Sequence, residues 1–175
     1  MNKIVFFDLM NDLLKHKNNI TPKKLLTILL DWLNRHPKIV GEFINNHSDI
    51  RDFLTIENIN EYPIEYKKME ENELARLINH LMEYINNKSD YTYQFIEKIL
   101  NDLLLIQSDM ECPICFGEYG FDIWIEEGSK KPVFCCKTCG NSFYFDMSKR
   151  KNKNKLLVPT TSELRIHKII NDNNI

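Results

Sequence analysis

The chain has 175 residues, of which 43% are hydrophobic, and its formal net charge is −2 at pH 7. This length suits one domain or two small domains with a buried core, and a charge this close to zero favours no class of partner by itself. No run of about twenty apolar residues occurs, so we expect no membrane span.

Residues 1–109 show helical periodicity throughout, with apolar residues recurring at spacings of three and four. Thr21 and Pro22 predict the start of one helix, because threonine is a good N-cap and proline fits the first helical position. Stripes this wide are typical of helices that pack on one another. The pattern predicts an N-terminal all-α helical bundle, and it resembles no family that we recognise.

The strongest stripes of the bundle extend from Leu74 to Ile85 and from Ile96 to Leu104. Two shorter helices are expected, around residues 39–44 and around residues 50–54. Residues 58–63 are polar and predict a connector between the earlier and the later helices.

The pattern changes at Glu111. Residues 119–125 alternate between apolar and polar, which is typical of a half-buried strand. Second and third strands are expected at residues 133–136 and 142–145, and Gly128 marks the turn before the second. The sequence predicts a three-stranded antiparallel unit, and therefore an α+β chain overall.

Two Cys-x-x-Cys pairs, separated by twenty residues, flank the predicted second strand. Each pair can hold one edge of a tetrahedral ion from a tight turn, and this spacing is a signature of zinc sites. A glycine follows each pair closely and lets the backbone curl so that its amides face the sulfurs. The predicted metal ligands are Cys112, Cys115, Cys136 and Cys139.

With these turns, residues 111–146 resemble the zinc-ribbon family. The resemblance implies one Zn²⁺ with a structural role, because four thiolates leave no open position for water or substrate. Some ribbons of transcription elongation factors carry an acidic pair in their hairpin, and Glu126-Glu127 lies near the hairpin tip here. The arginine-serine-alanine-aspartate-glutamate run of those factors is absent, which counts against that assignment.

A fifth cysteine, Cys135, directly precedes Cys136. Adjacent residues of a strand point to opposite faces, so we expect Cys135 to face away from the metal and into packing. The histidines form no His-x-x-x-His or His-x-Glu pair, and no phosphate-binding glycine loop or serine-nucleophile motif occurs. We therefore expect no enzymatic activity.

Charge is unevenly distributed. Residues 109–148 contain three Lys/Arg and seven Asp/Glu, whereas residues 149–175 contain seven Lys/Arg and two Asp/Glu. The positive run could bind phosphates of nucleic acid, or it could be a solvated linker. Its basic residues are Lys149, Arg150, Lys151, Lys153 and Lys155.

The C-terminal tail allows two arrangements. Ser162 is a candidate N-cap for a short helix, whose apolar residues could dock onto the bundle. Alternatively, residues 156–158 could add a strand to the ribbon. The expected division is a helical domain over residues 1–109, a ribbon over 110–148 and a basic linker with tail over 149–175.

Two functional hypotheses follow. The first is a cytoplasmic protein-binding module without chemistry of its own, of which an immunity-type protein that neutralises a toxin is one form. An acidic surface suits a basic partner, and reduced thiols fit a reducing compartment. The alternative is a nucleic-acid-associated regulator or polymerase accessory protein that uses the basic run and base stacking. The first hypothesis takes the aromatic residues of the ribbon, Trp124, Phe143, Tyr144 and Phe145, as part of a rigid binding surface, and the second takes Trp124 or Tyr144 as stacking rings. A core role for the same aromatic residues is the alternative, because a small ribbon needs large side chains to cover its metal.

Overall fold

The computed structural model describes residues 3–37, 56–66, 69–117 and 119–171. Within these ranges the chain contains five α-helices and five β-strands, which confirms the predicted α+β class. The short helices expected around residues 39–44 and 50–54 lie outside the described residues. No helix in the described ranges is long and apolar enough to span a membrane.

The chain folds into two compact units, whose boundary differs from a simple division along the sequence. Among the described residues, the helical unit takes 3–37, 56–59 and 69–103. The sheet unit takes 104–117, 119–171 and also 60–66 of the polar connector. The basic run and the tail therefore belong to the same unit as the ribbon strands.

The helical unit contains α1 (Lys3–His16), α2 (Pro22–Arg35), α3 (Glu71–Asn86) and most of α4 (Thr92–Leu104). The Thr21 Oγ1 accepts a hydrogen bond from the Lys24 backbone amide at 3.2 Å, so α2 starts where the sequence predicts. Helix α1 packs against α2 and α3. Phe6 lies at the centre of an aromatic group, with its ring centroid 5.3 Å from that of Trp32 and 5.1 Å from that of Tyr93.

The sheet unit contains five antiparallel strands arranged around β2. Strand β3 pairs with one edge of β2 and carries β4 on its far side, while β1 and β5 pair with the two ends of the other edge. The bounds are β1 (Gln107–Ser108), β2 (Phe121–Glu126), β3 (Pro132–Cys136), β4 (Ser142–Tyr144) and β5 (Leu156–Leu157). The three predicted strands are present, and β1 and β5 together form one edge of the sheet while β4 forms the other.

One face of the sheet forms the hydrophobic core of this unit. Phe121 makes edge-to-face contacts with Phe134 and Phe143, at centroid distances of 6.1 and 5.9 Å. Leu164 and Ile170 of the tail are buried in the same cluster. Residues 156–157 pair with β2, as the strand alternative predicted, whereas the helix α5 (Thr161–Ile166) packs in the core of the sheet unit and not, as the other alternative had it, in the bundle.

The opposite face is partly covered by the crossing segment, residues 149–155, which connects the β4 side of the sheet with β5. Arg150 Nε donates to Glu126 Oε1 at 3.0 Å, and Asn152 Nδ2 donates to the Tyr144 hydroxyl at 2.8 Å. The Tyr144 hydroxyl in turn donates to Glu126 Oε1 at 3.2 Å, and Ser129 Oγ donates to Glu126 Oε2 at 2.6 Å. These bonds hold Arg150 and Asn152 to the sheet, while residues 151–155 of the segment are exposed.

The N-cap of α5 is Thr160, whereas the sequence suggested Ser162. Thr160 Oγ1 accepts from the Glu163 amide at 3.2 Å, and Glu163 Oε2 accepts from the Thr160 amide at 3.0 Å, which completes a capping box. We expect Thr160→Ala to lower the free energy of unfolding of the sheet unit by about 1 kcal/mol. Ser162→Ala is the matched control, and urea denaturation would contradict the assignment if the two variants lost equal stability.

Candidate metal centre

Two similar backbone turns present the four predicted ligands. In the first turn the Phe116 amide donates to the Cys112 carbonyl at 2.9 Å, and in the second the Gly140 amide donates to the Cys136 carbonyl at 2.9 Å. In both turns the residue whose amide donates this hydrogen bond has a left-handed backbone conformation, with φ of 53° at Phe116 and 69° at Gly140. The two turns therefore have matching geometry, although only the second uses glycine at the left-handed position.

Gly117 has a different role from the one that the sequence suggested. Its φ is not in the left-handed region, but a Cβ added to it would lie 2.3 Å from the Thr138 Oγ1 of the second turn. Gly117 is therefore required because the two turns approach each other closely at this point.

The structure brings the four predicted sulfur atoms together. The distance between the Sγ atoms is 3.8 Å for Cys112 and Cys139 and 3.6 Å for Cys115 and Cys136, and all four lie within 4.8 Å of one another. Four sulfurs at the usual zinc–sulfur distance of about 2.3 Å from a tetrahedral ion would be roughly 3.8 Å apart. These separations fit such an ion, and they are far too long for disulfide bonds.

Hydrogen-bond donors of the second turn favour the thiolate form of its cysteines. The Asn141 Nδ2 donates to the Cys139 Sγ at 3.1 Å and, with the Asn141 amide, lowers the pKa of Cys139 to about 6. Burial raises the pKa of Cys136, but the amides of Cys139 and Thr138 outweigh it and leave that pKa below its ordinary value. Burial and the neighbouring sulfurs raise the pKa of Cys115 to about 12. A metal ion would have to displace the remaining protons, so acid opposes metal binding.

The donor set indicates what the centre can do. Four cysteine thiolates bind soft or borderline metals such as Zn²⁺ and complete a tetrahedral coordination shell. Cys112 and Cys136 are buried and extend into the hydrophobic core of the sheet unit. An ion held here would link both turns to that core, and it would have no free position at which to activate water.

Cys135 takes no part in the sulfur cluster. It pairs with Asp122 on the face of the sheet opposite to Cys136, as strand alternation predicts. Its Sγ lies 3.3 Å from the Ser142 Oγ, and the residue is half-buried. Cys135 is therefore adjacent to the predicted ligand Cys136 in sequence, but its side chain lies on the other face of the sheet.

Large apolar side chains surround the first turn on its solvent side. We call them the metal-end patch: Met110, Ile114, Phe116 and Tyr119, which are 39%, 47%, 68% and 75% exposed. Exposed carboxylates at Asp109 and Glu111 lie along the same stretch of chain. None of these four residues was predicted to be functional from the sequence, although each lies within four positions of a predicted metal ligand.

The aromatic residues selected from the sequence have different environments in the structure. Phe143 is buried in the core, which is the alternative that the sequence left open for these rings. Trp124 and Tyr144 are half-buried, and Phe145 is 65% exposed.

The basic run is only partly available to a ligand. Arg150 is nearly buried and is paired with Glu126, whereas the four lysines of the run, at positions 149, 151, 153 and 155, are exposed.

The two glutamates near the hairpin tip differ in exposure: Glu126 is 2% exposed, whereas Glu127 is exposed. These two residues therefore do not form an exposed acidic pair, which agrees with the missing elongation-factor run.

The four-thiolate cluster beside an antiparallel sheet is consistent with a zinc ribbon and rests on this chain's own residues. Comparisons with family models, with curated proteins and with solved structures found no match for the chain.

Proposed function

We propose that this protein is a non-enzymatic, protein-binding module whose sheet unit is a zinc ribbon stabilised by one structural Zn²⁺. The observation that carries the proposal is the metal-end patch beside the four-cysteine cluster. A closed thiolate site supplies stability rather than catalysis, so the surface that it supports is the functional element.

The exposure of this patch has no structural explanation within the metal site. Ile114 and Phe116 belong to the turn that carries Cys112 and Cys115, and the sulfurs point to the cluster while these two side chains face solvent. Several large apolar side chains exposed within one short stretch of chain often mark a protein interface. Aromatic side chains and methionine are also enriched at the centres of such interfaces.

Charge indicates the chemistry of the partner. Asp109 and Glu111 are exposed next to the patch, and four thiolates with one Zn²⁺ carry a net charge near −2. Lys137 offsets part of this charge, and it is paired with Asp122 at 3.9 Å. An apolar surface with a negative surround suits a partner segment that is apolar and basic, because complementary charge speeds encounter and disfavours acidic competitors.

A basic toxin, such as a nuclease, is the partner class that we favour. In that case the protein would act in the cytoplasm as an immunity-type inhibitor. The support is the acidic, apolar character of the patch and the absence of any other chemistry at the metal centre. Inhibition of the partner's activity by the purified protein would distinguish an inhibitor from a simple adaptor.

The test is affinity capture of the zinc-loaded chain from nuclease-treated lysate of its native host. We expect a basic protein in one-to-one stoichiometry, with capture reduced at least about tenfold by the double substitution Ile114→Ala and Tyr119→Ala. Phe145→Ala, which also removes an exposed side chain from the sheet unit, is the matched control. Equal capture by the wild type and the double variant would exclude the patch as the interface.

A nucleic-acid-associated role is the second proposal, and a specific observation supports it. Four lysines of the crossing segment remain exposed after Arg150 is taken by Glu126. Capture that disappears on nuclease treatment would favour this role over protein binding.

A further inference from the structure

A groove lies at the end of the sheet away from the metal ligands. Strand β3 begins beside it at Pro132 and ends at the ligand Cys136. The groove has a volume of about 520 Å³, which is within the usual range for ligand sites. The residues that matter for its chemistry are Lys131, Tyr144, Phe145, Asp146, Ser148 and His167.

Two aromatic rings form the apolar part of this end groove. The Phe145 ring contacts Phe134 at a centroid distance of 5.9 Å, yet most of its surface is exposed. The Tyr144 hydroxyl is held by the Glu126 network, which holds that ring in place. A planar ligand could therefore stack on the exposed Phe145 ring, which packs against Phe134, beside the Tyr144 ring that the hydrogen bonds hold in place.

Lys131 is the cation among the polar side chains of the groove, and hydrogen bonds hold Asp146, Ser148 and His167 in position. The Lys131 Nζ lies 5.9 Å from the centroid of the Tyr144 ring. The His167 Nε2 is 2.8 Å from the Lys130 carbonyl, which can only accept, so Nε2 donates and Nδ1 remains for a ligand. Asp146 Oδ1 accepts from the Ser148 amide at 2.9 Å and from the Ser148 Oγ at 2.6 Å, so this carboxylate is used to close its own turn.

Each of the three chain segments that line the groove also carries an exposed lysine next to a lining residue. Lys130 precedes Lys131, Lys149 follows Ser148 and Lys168 follows His167. Lys130 pairs with Glu163 at 3.2 Å, and all three side chains are solvent-exposed. The groove thus combines stacking surface with a positive border, which are the two requirements for binding an unpaired nucleotide.

We propose that the end groove binds a nucleobase linked to phosphate, with the base on Phe145 and the phosphate near Lys131. Two sources could supply this chemistry: a single-stranded nucleic acid or a free nucleotide. The site overlaps the basic run predicted from the sequence only at Lys149 on its border, since Lys131, Phe145 and His167 do not belong to that run. It is also separate from the metal-end patch, so the two proposals can fail independently.

The probe is a fluorescein-labelled oligothymidine of about twelve nucleotides, titrated with the zinc-loaded full chain and followed by fluorescence anisotropy. We expect Phe145→Ala to weaken binding by about tenfold, because one stacked base is lost. Lys131→Gln should lower the slope of log affinity against log salt by about 0.7, the value for one phosphate contact on a single strand.

Matched controls come from the metal end of the same unit. Tyr119→Ala removes an exposed aromatic ring and Lys137→Gln removes an exposed lysine, and neither residue lines the groove. Both should bind the probe like the wild type. No binding at low salt, unchanged binding by Phe145→Ala, or equal weakening by Tyr119→Ala would each overturn the proposal.

Competition identifies the source of the ligand. Displacement of the oligonucleotide by thymidine monophosphate at equal nucleotide concentration would assign the groove to free nucleotides. Displacement only by longer unlabelled strands would assign it to single-stranded nucleic acid. Displacement by inorganic phosphate alone as effectively as by the nucleotide would contradict a stacking site.

Discussion

Cys136→Ser is expected to abolish stoichiometric zinc binding and to unfold the sheet unit while the helical unit stays folded. Structural zinc in comparable small sites supplies about 10–16 kcal/mol of apparent binding free energy. Cys136 contributes one of the four clustered sulfurs and is also buried in the core next to Phe121 and Phe143. Its loss therefore removes a ligand and places a hydroxyl in an apolar site. Elemental analysis measures the metal, and NMR shift dispersion reports each unit separately.

The control for this variant is the adjacent residue. Cys135→Ser changes the same atom type one position earlier, on the face of the sheet that the metal ligands do not occupy. It should keep one zinc per chain and a dispersed spectrum. If Cys136→Ser retained one zinc per chain, the four-cysteine assignment would be wrong. If zinc were lost without any loss of sheet structure, the metal would not stabilise the fold.

Glu126→Gln should destabilise the sheet unit by about 2 kcal/mol at pH 7. Glu126 is a buried carboxylate that accepts from Ser129, Arg150 and Tyr144. A neutral amide weakens the charge-assisted bonds and leaves the nearly buried Arg150 without its counter-charge. The midpoint of urea unfolding measures the effect. Glu127→Gln is the matched control, because that side chain is exposed and should change stability little.

The contribution of Glu126 should also depend on pH in a defined direction. The hydrogen bond from Ser129 is the largest cause that lowers the pKa of Glu126, and with Arg150 it brings that pKa from 4.5 to about 2. A carboxyl with a depressed pKa stabilises the fold above its unfolded value and loses this contribution as pH falls toward the folded value. The stability difference between the wild type and Glu126→Gln should therefore be constant near neutral pH and shrink below about pH 4.5. A gap that widened in acid would contradict the buried ion pair.

Several features of this chain could be predicted because they depend on local spacing. The Cys-x-x-Cys pairs, the Thr21-Pro22 helix start and the alternation in β2 each require information from only a few neighbouring residues. Alternation also placed Cys135 and Cys136 on opposite faces, and the sheet register confirms this. These predictions hold because tetrahedral ligation and strand geometry restrict the positions of adjacent residues.

Other features required contacts between residues distant in sequence. Residues 60–66 belong to the sheet unit, where the Arg165 Nη2 donates to the Tyr66 hydroxyl at 2.9 Å. Gly117 was assigned to backbone flexibility, whereas its role depends on Thr138 from the other turn. The sequence left open whether Phe143 lies at the surface or in the core, because a three-residue strand gives little pattern from which to assign its face.

The sequence by itself determined the four clustered cysteines, the α+β class and the positions of the main strands, because each of these follows from local spacing and periodicity. Only the tertiary structure decided which charges are available to a partner. Arg150 is neutralised by Glu126, 24 positions earlier in the chain, while Lys131, Phe145 and His167 meet at one groove. Burial and pairing depend on which segments the fold brings together. A count of charges along the sequence therefore could not distinguish Arg150, which is paired with Glu126, from the exposed lysines.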